Sequence, residues 1–441
     1  MMAGGKKKEK KELTPEERLQ QALVPEEKWP YELPEGWKWI VLGKITDVVG
    51  GGTPSTSHPE YYGGKIPWLS PADLSNYSEM YISCGAKKIS EEGLSNSSAR
   101  LLPKGTVCLS SRAPIGYVAI ASNDLCTNQG FKSFVPSPYV YPEFLYWYLK
   151  SNKALLESMA SGTTFLELSG KRASQIMMPL PPLNTQIQIA NIITDEIKKL
   201  EDAKEQIQIV IDSSEERKQG ILHKAVTGEL SAKWRAAHNV ELSSWQHMPL
   251  KEACIGLKYG TASKSQKEGL VAVIRMGNLQ DGGINWSNLV YSNNSEDNEK
   301  FCLHSGDVLF NRTNSPELVG KTAIYRGEQP AIYAGYLIKL DYKDFVDGEY
   351  LNYIMNSPEE KRYCNQVKSD GVNQSNVSAA KIGEFNIPVP TIDEQHEIVR
   401  IVNTYLDNSG AIEEAARNSL DQLEALKKSI LTKAFRGELI C

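Results

Sequence analysis

The chain has 441 residues, of which 41% are hydrophobic, and a formal net charge of −5 at pH 7. It has no run of about 18 apolar residues, the length that a membrane-spanning helix requires, so we expect no membrane span. The negative charge disfavours tight DNA binding by the chain alone, because such affinity depends on neutralising phosphates, but a local basic groove or partner proteins can supply the charge. Seven scattered cysteines without a CxxC pair predict a reducing, cytoplasmic setting, with neither a zinc site nor a disulfide framework.

Residues 1–35 predict a solvated, disordered basic tail followed by a short helix. The basic run at 6–11 has no apolar segment behind it, so it is not a secretory signal. Thr14, Pro15 and Glu17 fit the N-cap, N1 and N3 positions of a helix that ends near Leu23.

Two globular modules follow, module one at 36–183 and module two at 245–391. Short apolar runs separated by turn residues predict strands in both, with one helix per module, near 142–159 and 348–365. We therefore predict an α+β fold for each module, built on a mostly antiparallel, curved sheet. Scaffold positions of the two modules match, whereas their polar loop residues mostly differ.

A long internal repeat organises the chain, because 179–230 matches 388–439 without a gap. Each copy begins with Pro-x-Pro, continues through Gln186 or Gln395, and ends in Lys-Ala-x-x-Gly-Glu-Leu. This period is too long for a solenoid and indicates one domain-plus-helix module, duplicated.

Each repeat copy predicts a long helix, within 184–228 and 392–441. Asn184 and Asp393 are the predicted N-caps, and the glycine of each Gly-Glu-Leu suits the left-handed C′ position. Apolar residues recur at spacings of three and four, as in a coiled coil, and they include Ile189, Ile193 and Ile207 in the first copy and Ile398, Val402, Leu423 and Ile430 in the second. The two stripes are expected to bury each other; the alternative is that each packs only on its own module.

A linker at 229–244 leads from the first helix into module two. It contains a short helical segment and ends at a tryptophan, as does the N-terminal segment before module one. We expect the two segments to play equivalent roles, which implies a pseudo-twofold arrangement with the two termini close together.

The chain resembles the specificity subunit of type I restriction-modification systems. The resemblance depends on two diverged modules, each followed by Pro-x-Pro, a glutamine, a long helix and Gly-Glu-Leu. The resemblance runs from about residue 30 to the C-terminus. It implies that each module is a target recognition domain for half of a bipartite, asymmetric double-stranded DNA site. It also implies that the helices form an antiparallel coiled coil that spaces the two modules.

The same resemblance implies partner proteins and their cofactors. Two methyltransferase subunits, which bind S-adenosylmethionine and methylate adenine N6, are expected to dock on the chain. Restriction subunits, which use ATP and Mg, are expected to join that core. The chain itself is expected to bind no cofactor or metal.

Loops carrying Arg, Lys, Asn, Gln, Ser and Thr are the predicted DNA contacts, because these side chains pair with base edges and small neighbours let the backbone approach phosphate. In module one the candidates are Thr53, Ser55, Ser111, Arg112, Asn128, Gln129, Thr163, Thr164 and Lys171. In module two they are Lys264, Arg275, Asn278, Asn311, Arg312, Asn314, Asn373 and Gln374. For any single residue the alternative is an ordinary turn or surface role. Arg112 and Arg312 each follow the equivalent Gly-x-Val strand, which strengthens the set.

The sequence contains no amino-methyltransferase motif and no Gly-x-Gly-x-x-Gly. Gly320-Lys321-Thr322 resembles the end of a phosphate-binding loop but lacks its upstream glycine, so a turn into a strand is the better interpretation. We therefore predict a non-catalytic DNA-recognition and assembly subunit. The alternatives are a type II-like fused or associated restriction-methylation enzyme component and a coiled-coil scaffold that does not contact DNA.

Overall fold

The computed structural model describes residues 14–162, 166–315, 318–371 and 374–440. The predicted N-terminal tail and the candidates Thr163, Thr164 and Asn373 lie outside these ranges. The chain divides into two compact units. The first unit holds the residues up to Gln206 and those from Ser419 onward, and the second holds Ile207–Asn418.

In the first unit, module one is built from three sheets. A five-stranded sheet has the order Val48–Gly50, Phe131–Phe134, Val107–Ser111, Ile115–Ala121, Tyr81–Ile82. A three-stranded sheet has the order Lys87–Ile89, Tyr62–Leu69, Cys126–Thr127. A two-stranded sheet pairs the strand that enters the module, Lys38–Val41, with the strand that leaves it, Met177–Leu180.

In the second unit, module two repeats this plan with smaller pieces. A four-stranded sheet has the order Cys254–Tyr259, Leu337–Tyr342, Val308–Asn311, Thr322–Ile324. Two three-stranded sheets follow the orders Val290–Ser292, Val271–Ile274, Ala331–Tyr333 and Thr313–Asn314, Ser375–Asn376, Ser369–Asp370. Leu279–Gln280 pairs with Gly283–Ile284, and the entry strand Gln246–Pro249 pairs with the exit strand Asn386–Val389.

The predicted α+β class with mostly antiparallel pairing is confirmed. Among the strand-to-strand pairings of the described residues, three are parallel: Tyr62–Leu69 with Cys126–Thr127, Tyr81–Ile82 with Ile115–Ala121, and Val271–Ile274 with Ala331–Tyr333. The expectation of one curved sheet per module is wrong, because each module divides its strands among several short sheets.

Short helices cover the sheets. In the first unit they are Pro15–Ala22, Leu42–Ile45, Glu91–Ser95, Pro142–Ser151, Lys153–Ser158 and Gly170–Ala173, with 3₁₀ turns at Glu26–Lys28, Pro59–Tyr61 and Pro71–Leu74. In the second unit they are Ala232–His238, Leu250–Ala253, Ser295–Lys300, Gly348–Ile354, Pro358–Val367 and Ala379–Gly383, with 3₁₀ turns at Leu242–Ser244 and Met276–Asn278. The single helix predicted near 142–159, and its counterpart near 348–365, are each two helices. Asn152 and Ser357 are the N-caps at the two breaks.

The long helices are Leu183–Asp212, followed after Ser213 by Ser214–Val226, and the uninterrupted Ile392–Arg436. Asn184 and Asp393 are not N-caps, because the first backbone bonds run back to the carbonyls of Pro182 and Thr391 and both helices begin earlier than predicted. None of the helices in the described ranges is both long enough and apolar enough to cross a membrane.

The ends of the long helices complete the core of each unit. In the first unit, Ile189 and Ile193 are buried against module one beside Ala434 and Phe435. In the second unit the corresponding cluster joins Ile398 and Val402 to Leu222, Ala225 and Val226. Each unit therefore consists of a module, the start of the helix that follows it, and the end of the other helix.

Beyond these buried turns the helices pair with each other. In the first unit, Lys204 bonds Glu424 at 2.8 Å and Glu201 bonds Lys427 at 2.5 Å. In the second unit, Ser214 Oγ donates to Glu413 at 2.9 Å. Partner numbers rise on one helix as they fall on the other, so the pairing in each unit is antiparallel, as predicted. Of the remaining predicted seam residues, Ile207 and Leu423 are half-buried and Ile430 is 9% exposed.

Candidate nucleic-acid interface

Gln186 and Gln395 fasten the start of each long helix to its module. The side-chain oxygen of Gln186 accepts from Tyr141 N at 2.9 Å, and its nitrogen donates to the Tyr139 and Pro181 carbonyls, both at 2.9 Å. Gln395 makes the same three bonds, from Asp347 N at 2.7 Å and to the Phe345 and Pro390 carbonyls at 2.9 Å. Both side chains are buried, so these glutamines hold the module at a fixed orientation on its helix.

The Gly-Glu-Leu end of each helix is also built twice in the same way. Gly228 and Gly437 both have φ of +78°, as predicted for the left-handed C′ position. An added Cβ would lie 3.2 Å from the Trp245 ring in the second unit and 3.3 Å from the Trp37 ring in the first. The predicted equivalence of the N-terminal segment and the linker is thereby confirmed at these two tryptophans.

A buried ion pair distinguishes the linker from the N-terminal segment. Glu394, in the first turn of the Ile392–Arg436 helix, accepts from Arg235 Nη1 at 2.8 Å, Ser231 Oγ at 2.7 Å and Trp245 Nε1 at 3.0 Å. Its side chain is fully buried. The residue at the matching repeat position is Thr185, so this network belongs to the second unit alone.

In module one, two predicted DNA-contact loops meet. Thr53 Oγ1 donates a hydrogen bond to Gln129 Oε1. The Asn128 side chain accepts from Gly130 N at 2.8 Å and so shapes the turn that presents Gln129. Ser55, on the same loop as Thr53, is exposed and shares a hydrogen bond with Ser57.

Lys132, which the sequence analysis missed, lies beneath this loop pair. Its ammonium is 3.2 Å from Ser111 Oγ, 3.4 Å from the Gln129 carbonyl and 3.4 Å from Glu167 Oε1. Ser111 itself is fully buried and donates to the Gly130 carbonyl, so the structure gives it an internal role. The available signal was a lysine in the short strand Phe131–Phe134, between two phenylalanines.

The predicted arginine pair follows equivalent strands but at unequal positions. Leu168 N donates to the Ser111 carbonyl in module one, and Val377 N donates to the Arg312 carbonyl in module two. By this bond Arg312 corresponds to Ser111 and not to Arg112. Arg112 is half-buried beside its bridge to Glu167. The remaining module-one candidate, Lys171, is exposed on the short Gly170–Ala173 helix.

In module two, arginine and aromatic side chains gather at the end of the Val308–Asn311 strand. The Arg312 guanidinium lies 4.9 Å from the Tyr259 ring centroid and 3.4 Å from Asn376 Oδ1. Its backbone N donates to the Tyr336 carbonyl. Burial raises the pKa of Tyr336, and the nearby charge of Arg275 opposes that rise. We call Tyr259, Arg275, Asn311, Arg312 and Tyr336 the module-two cluster.

Three nitrogen atoms of this cluster are buried without a hydrogen-bond partner among the described residues: Arg275 Nε, Asn311 Nδ2 and Arg312 Nε. A buried donor without a hydrogen-bond partner lowers the stability of the folded state by roughly 1–3 kcal/mol. Three such donors in one cluster therefore need an explanation, such as a partner outside the chain. All three belong to residues predicted to contact DNA.

The other module-two candidates are less uniform. Asn278 is buried, and it accepts from Arg275 N at 3.0 Å and donates to the Asn285 and Ser287 carbonyls, so its polar atoms are used internally. Lys264 and Gln374 are exposed. Asn314 accepts from the backbone of Ser315 at 2.8 Å. Gly320-Lys321-Thr322 is a turn into the Thr322–Ile324 strand, as the sequence favoured.

A family model described as "Type I restriction modification DNA specificity domain" matches residues 34–212 and again residues 243–422. The MjaIX specificity subunit of Methanocaldococcus jannaschii is 41% identical over 181 residues, which are 41% of this chain and 42% of that protein. The EcoKI specificity subunit of Escherichia coli K12 is 24% identical over 420 residues, 92% of this chain and 90% of that protein. A solved HsdS subunit from Thermoanaerobacter tengcongensis superposes with a TM-score of 0.65 at 20% identity, covering 93% of this chain and 99% of that one, and so shares its fold.

Proposed function

The chain belongs to the family of type I restriction-modification DNA specificity domains, which it carries twice, and we propose that each copy recognises one half of a bipartite DNA site. The observation that carries this proposal is the contrast between identical helix anchors at Gln186 and Gln395 and different side chains at the recognition surfaces. Because those surfaces differ in chemistry, the two half-sites differ and the whole site is asymmetric.

In module two, side chains of the module-two cluster recognise the DNA bases. Arginine pairs with two acceptors of a guanine in the major groove, and asparagine pairs with adenine. Arg275 and Arg312 are half-buried and have nitrogen donors without a partner among the described residues, and DNA acceptors would satisfy them. Asn311 is fully buried, so its amide is not accessible to DNA in this conformation. The Tyr259 ring beneath Arg312 restrains the guanidinium, which reduces the entropy lost on binding.

In module one the recognising side chains are Thr53, Gln129 and Arg112. The bond between Thr53 and Gln129 joins two loops into one surface. Lys132 lies behind them, only 11% exposed, where it bonds the Gln129 carbonyl and pairs with Glu167. This arrangement favours contact with phosphate and with a base edge at the same place.

In this proposal the two long helices bind the partner subunits in addition to carrying the two modules. In the second unit Ile209, Val210, Tyr405 and Ile412 are 36–54% exposed on the paired helices, so the pairing leaves apolar surface uncovered. We propose that two methyltransferase subunits cover such surface and that restriction subunits join the complex.

In this proposal the chemistry belongs to the partners, and the complex acts in the cytoplasm. S-adenosylmethionine, used to methylate adenine N6, and ATP and Mg, used in restriction, bind to those subunits. This chain positions the target base, which must leave the helix stack to reach a methyltransferase active site.

Mapping of N6-methyladenine across the genome tests the proposal. Cells with and without this chain are compared, with the methyltransferase partner present in both. We expect one asymmetric two-part motif, with a fixed gap, to lose its methylation when the chain is absent. An unchanged methylation map, in cells whose purified complex methylates DNA in vitro, would contradict the proposal.

A further inference from the structure

A groove of about 670 Å³ lies within the first unit. It runs between the last turns of the Ile392–Arg436 helix and the helices Pro142–Ser151 and Lys153–Ser158. Its floor is apolar and includes Trp39, Tyr148, Met177 and Phe435. The Tyr148 and Phe435 rings pack edge to face at 5.1 Å, so the floor is rigid.

The rim of this groove is basic. Lys150, Lys427, Lys428 and Arg436 line it, against the single acidic residue Glu424. Lys428 has no ion-pair partner among the described residues. Desolvation of its ammonium, followed by repulsion from Lys427, lowers the pKa of Lys150. The Glu201 carboxylate, which bonds Lys427, opposes that shift, and an added carboxylate at the rim would oppose it further.

The second unit has the corresponding groove, and there it is closed by ion pairs. Lys218 and Glu215, which match Lys427 and Glu424 in the repeat, bond Asp281 at 3.1 Å and Lys361 at 3.4 Å. Farther along the same helix, His223 lies 2.7 Å from Glu359. The remaining volume is about 290 Å³.

The first unit lacks those closures. Its Lys427 bonds Glu201 and its Glu424 bonds Lys204, both on the neighbouring long helix. Leu155, 40% exposed, lines this groove, whereas Lys361 lines the other. Gln219 of the second unit is replaced by Lys428. The first groove is therefore open, apolar at its floor and positive at its rim.

We propose that the groove of the first unit binds an acidic, amphipathic peptide segment of a partner protein, with its apolar side chains on the aromatic floor and its carboxylates on the lysines. Lys427, Lys428 and Arg436 spread over ten residues of helix, roughly 14 Å at 1.5 Å per step, which suits a peptide lying along the helix better than a compact phosphate. The Tyr31 ring face is covered by Arg436 at 5.3 Å, which leaves it unavailable for stacking on a nucleotide base.

This inference stands apart from DNA recognition, and its test needs no DNA. The full-length chain is titrated against a fluorescein-labelled helical peptide with Glu and Leu at helical spacing. Two control peptides replace Glu by Lys, or Leu by Ser. ATP alone is the fourth probe.

Two exposed-site variants alter the first groove. Lys428→Glu reverses a rim charge, and Leu155→Lys offers Glu424 the partner that Glu215 has in the second unit. Lys433→Glu makes the same charge change on the same helix outside the groove and serves as the matched control. Thermal unfolding of each variant confirms that it is folded.

We expect the acidic amphipathic peptide to bind more tightly than either control peptide. Lys428→Glu should weaken it roughly tenfold and Leu155→Lys several-fold, while Lys433→Glu leaves it within about twofold. Equal affinity for the Lys-containing peptide, or unchanged affinity after Lys428→Glu, would overturn the proposal. Binding of ATP with the same dependence on Lys428 would identify a nucleotide site instead and would also overturn it.

Discussion

Module one and module two hold their helices in the same way and present different side chains to their surroundings. Gln186 and Gln395 each make three equivalent hydrogen bonds. By contrast, equivalent positions at the recognition surfaces carry different residues. The carbonyl that accepts from Leu168 N in module one belongs to Ser111, whereas the carbonyl that accepts from Val377 N in module two belongs to Arg312. Burial restricts the residue type at the two anchors, because replacing either glutamine would leave its hydrogen-bond partners unpaired. The exposed loops carry no such restriction, so their side chains can differ between the modules.

The largest difference in stability between matching substitutions is expected at Glu394, which has no counterpart in the first unit. Glu394→Ala leaves Arg235, 9% exposed, without its partner charge. Removing one member of a buried pair costs roughly 3–5 kcal/mol, so the free energy of unfolding should fall by that amount in urea titrations. Thr185→Ala, at the matching repeat position, should cost less than about 1 kcal/mol. Equal effects of the two substitutions would contradict the assignment.

The shared anchors should respond alike. Gln186→Ala and Gln395→Ala each leave a part-buried backbone N–H and two carbonyls without their bonds. We expect each to lower the free energy of unfolding by roughly 2–4 kcal/mol, since each unpaired group costs 1 kcal/mol or more. Gln422→Ala, on the exposed face of the C-terminal helix, is the control. A large loss at one anchor and none at the other would disprove their equivalence.

Glu360 gives module two a pH dependence of its own. Burial raises the pKa of this carboxyl to about 8, while the Cys364 thiol donates to it at 2.7 Å. Because the folded state retains the proton that the unfolded state loses, stability is complete below pH 4.5 and falls as the pH rises toward 8. Glu360→Gln should match the parent below pH 4.5 and be more stable than it by roughly 1.4 kcal/mol at pH 5.5. A pH-independent difference would refute this account.

Substitution of Arg312 tests the difference between the two recognition surfaces, and its expected effect on free energy is the smallest of the four. Arg312→Ala should weaken binding of the assembled complex to its DNA site by roughly 1–2 kcal/mol and relax discrimination in one half-site only. Fluorescence anisotropy with duplexes altered in either half measures both effects. Arg362→Ala removes an exposed arginine paired with Glu359 and should change neither. Relaxation in both halves would contradict assignment of Arg312 to one half-site.

Local signals in the sequence predicted the scaffold well. The capping box at Thr14 and the glycines at 228 and 437 depend only on neighbouring residues, and the structure has them as expected. The helix starts were displaced because Pro182 and Thr391, not the following polar residues, receive the first backbone bonds. The single predicted helices were each divided at residues that occupy N-cap positions, Asn152 and Ser357, the second followed by Pro358 at N1.

The candidate site was harder to predict because its members meet only through the fold. Tyr259 and Arg312 are far apart in sequence and touch across the four-stranded sheet. Ser111 and Asn278 have the same polar character as the exposed candidates, yet the fold buries them. Sequence shows which side chains are able to bond a base, but burial decides which ones are available to do so.

Exchange of one module tests the central claim most directly. Residues 245–391 are replaced by the corresponding module of a relative with a different target, and the N6-methyladenine motif is mapped in cells that contain the partner subunits. We predict that one half of the motif changes while the other half and the gap stay the same. A change in both halves, or a methylated motif identical to that of the parent chain, would contradict the division of recognition between the two modules.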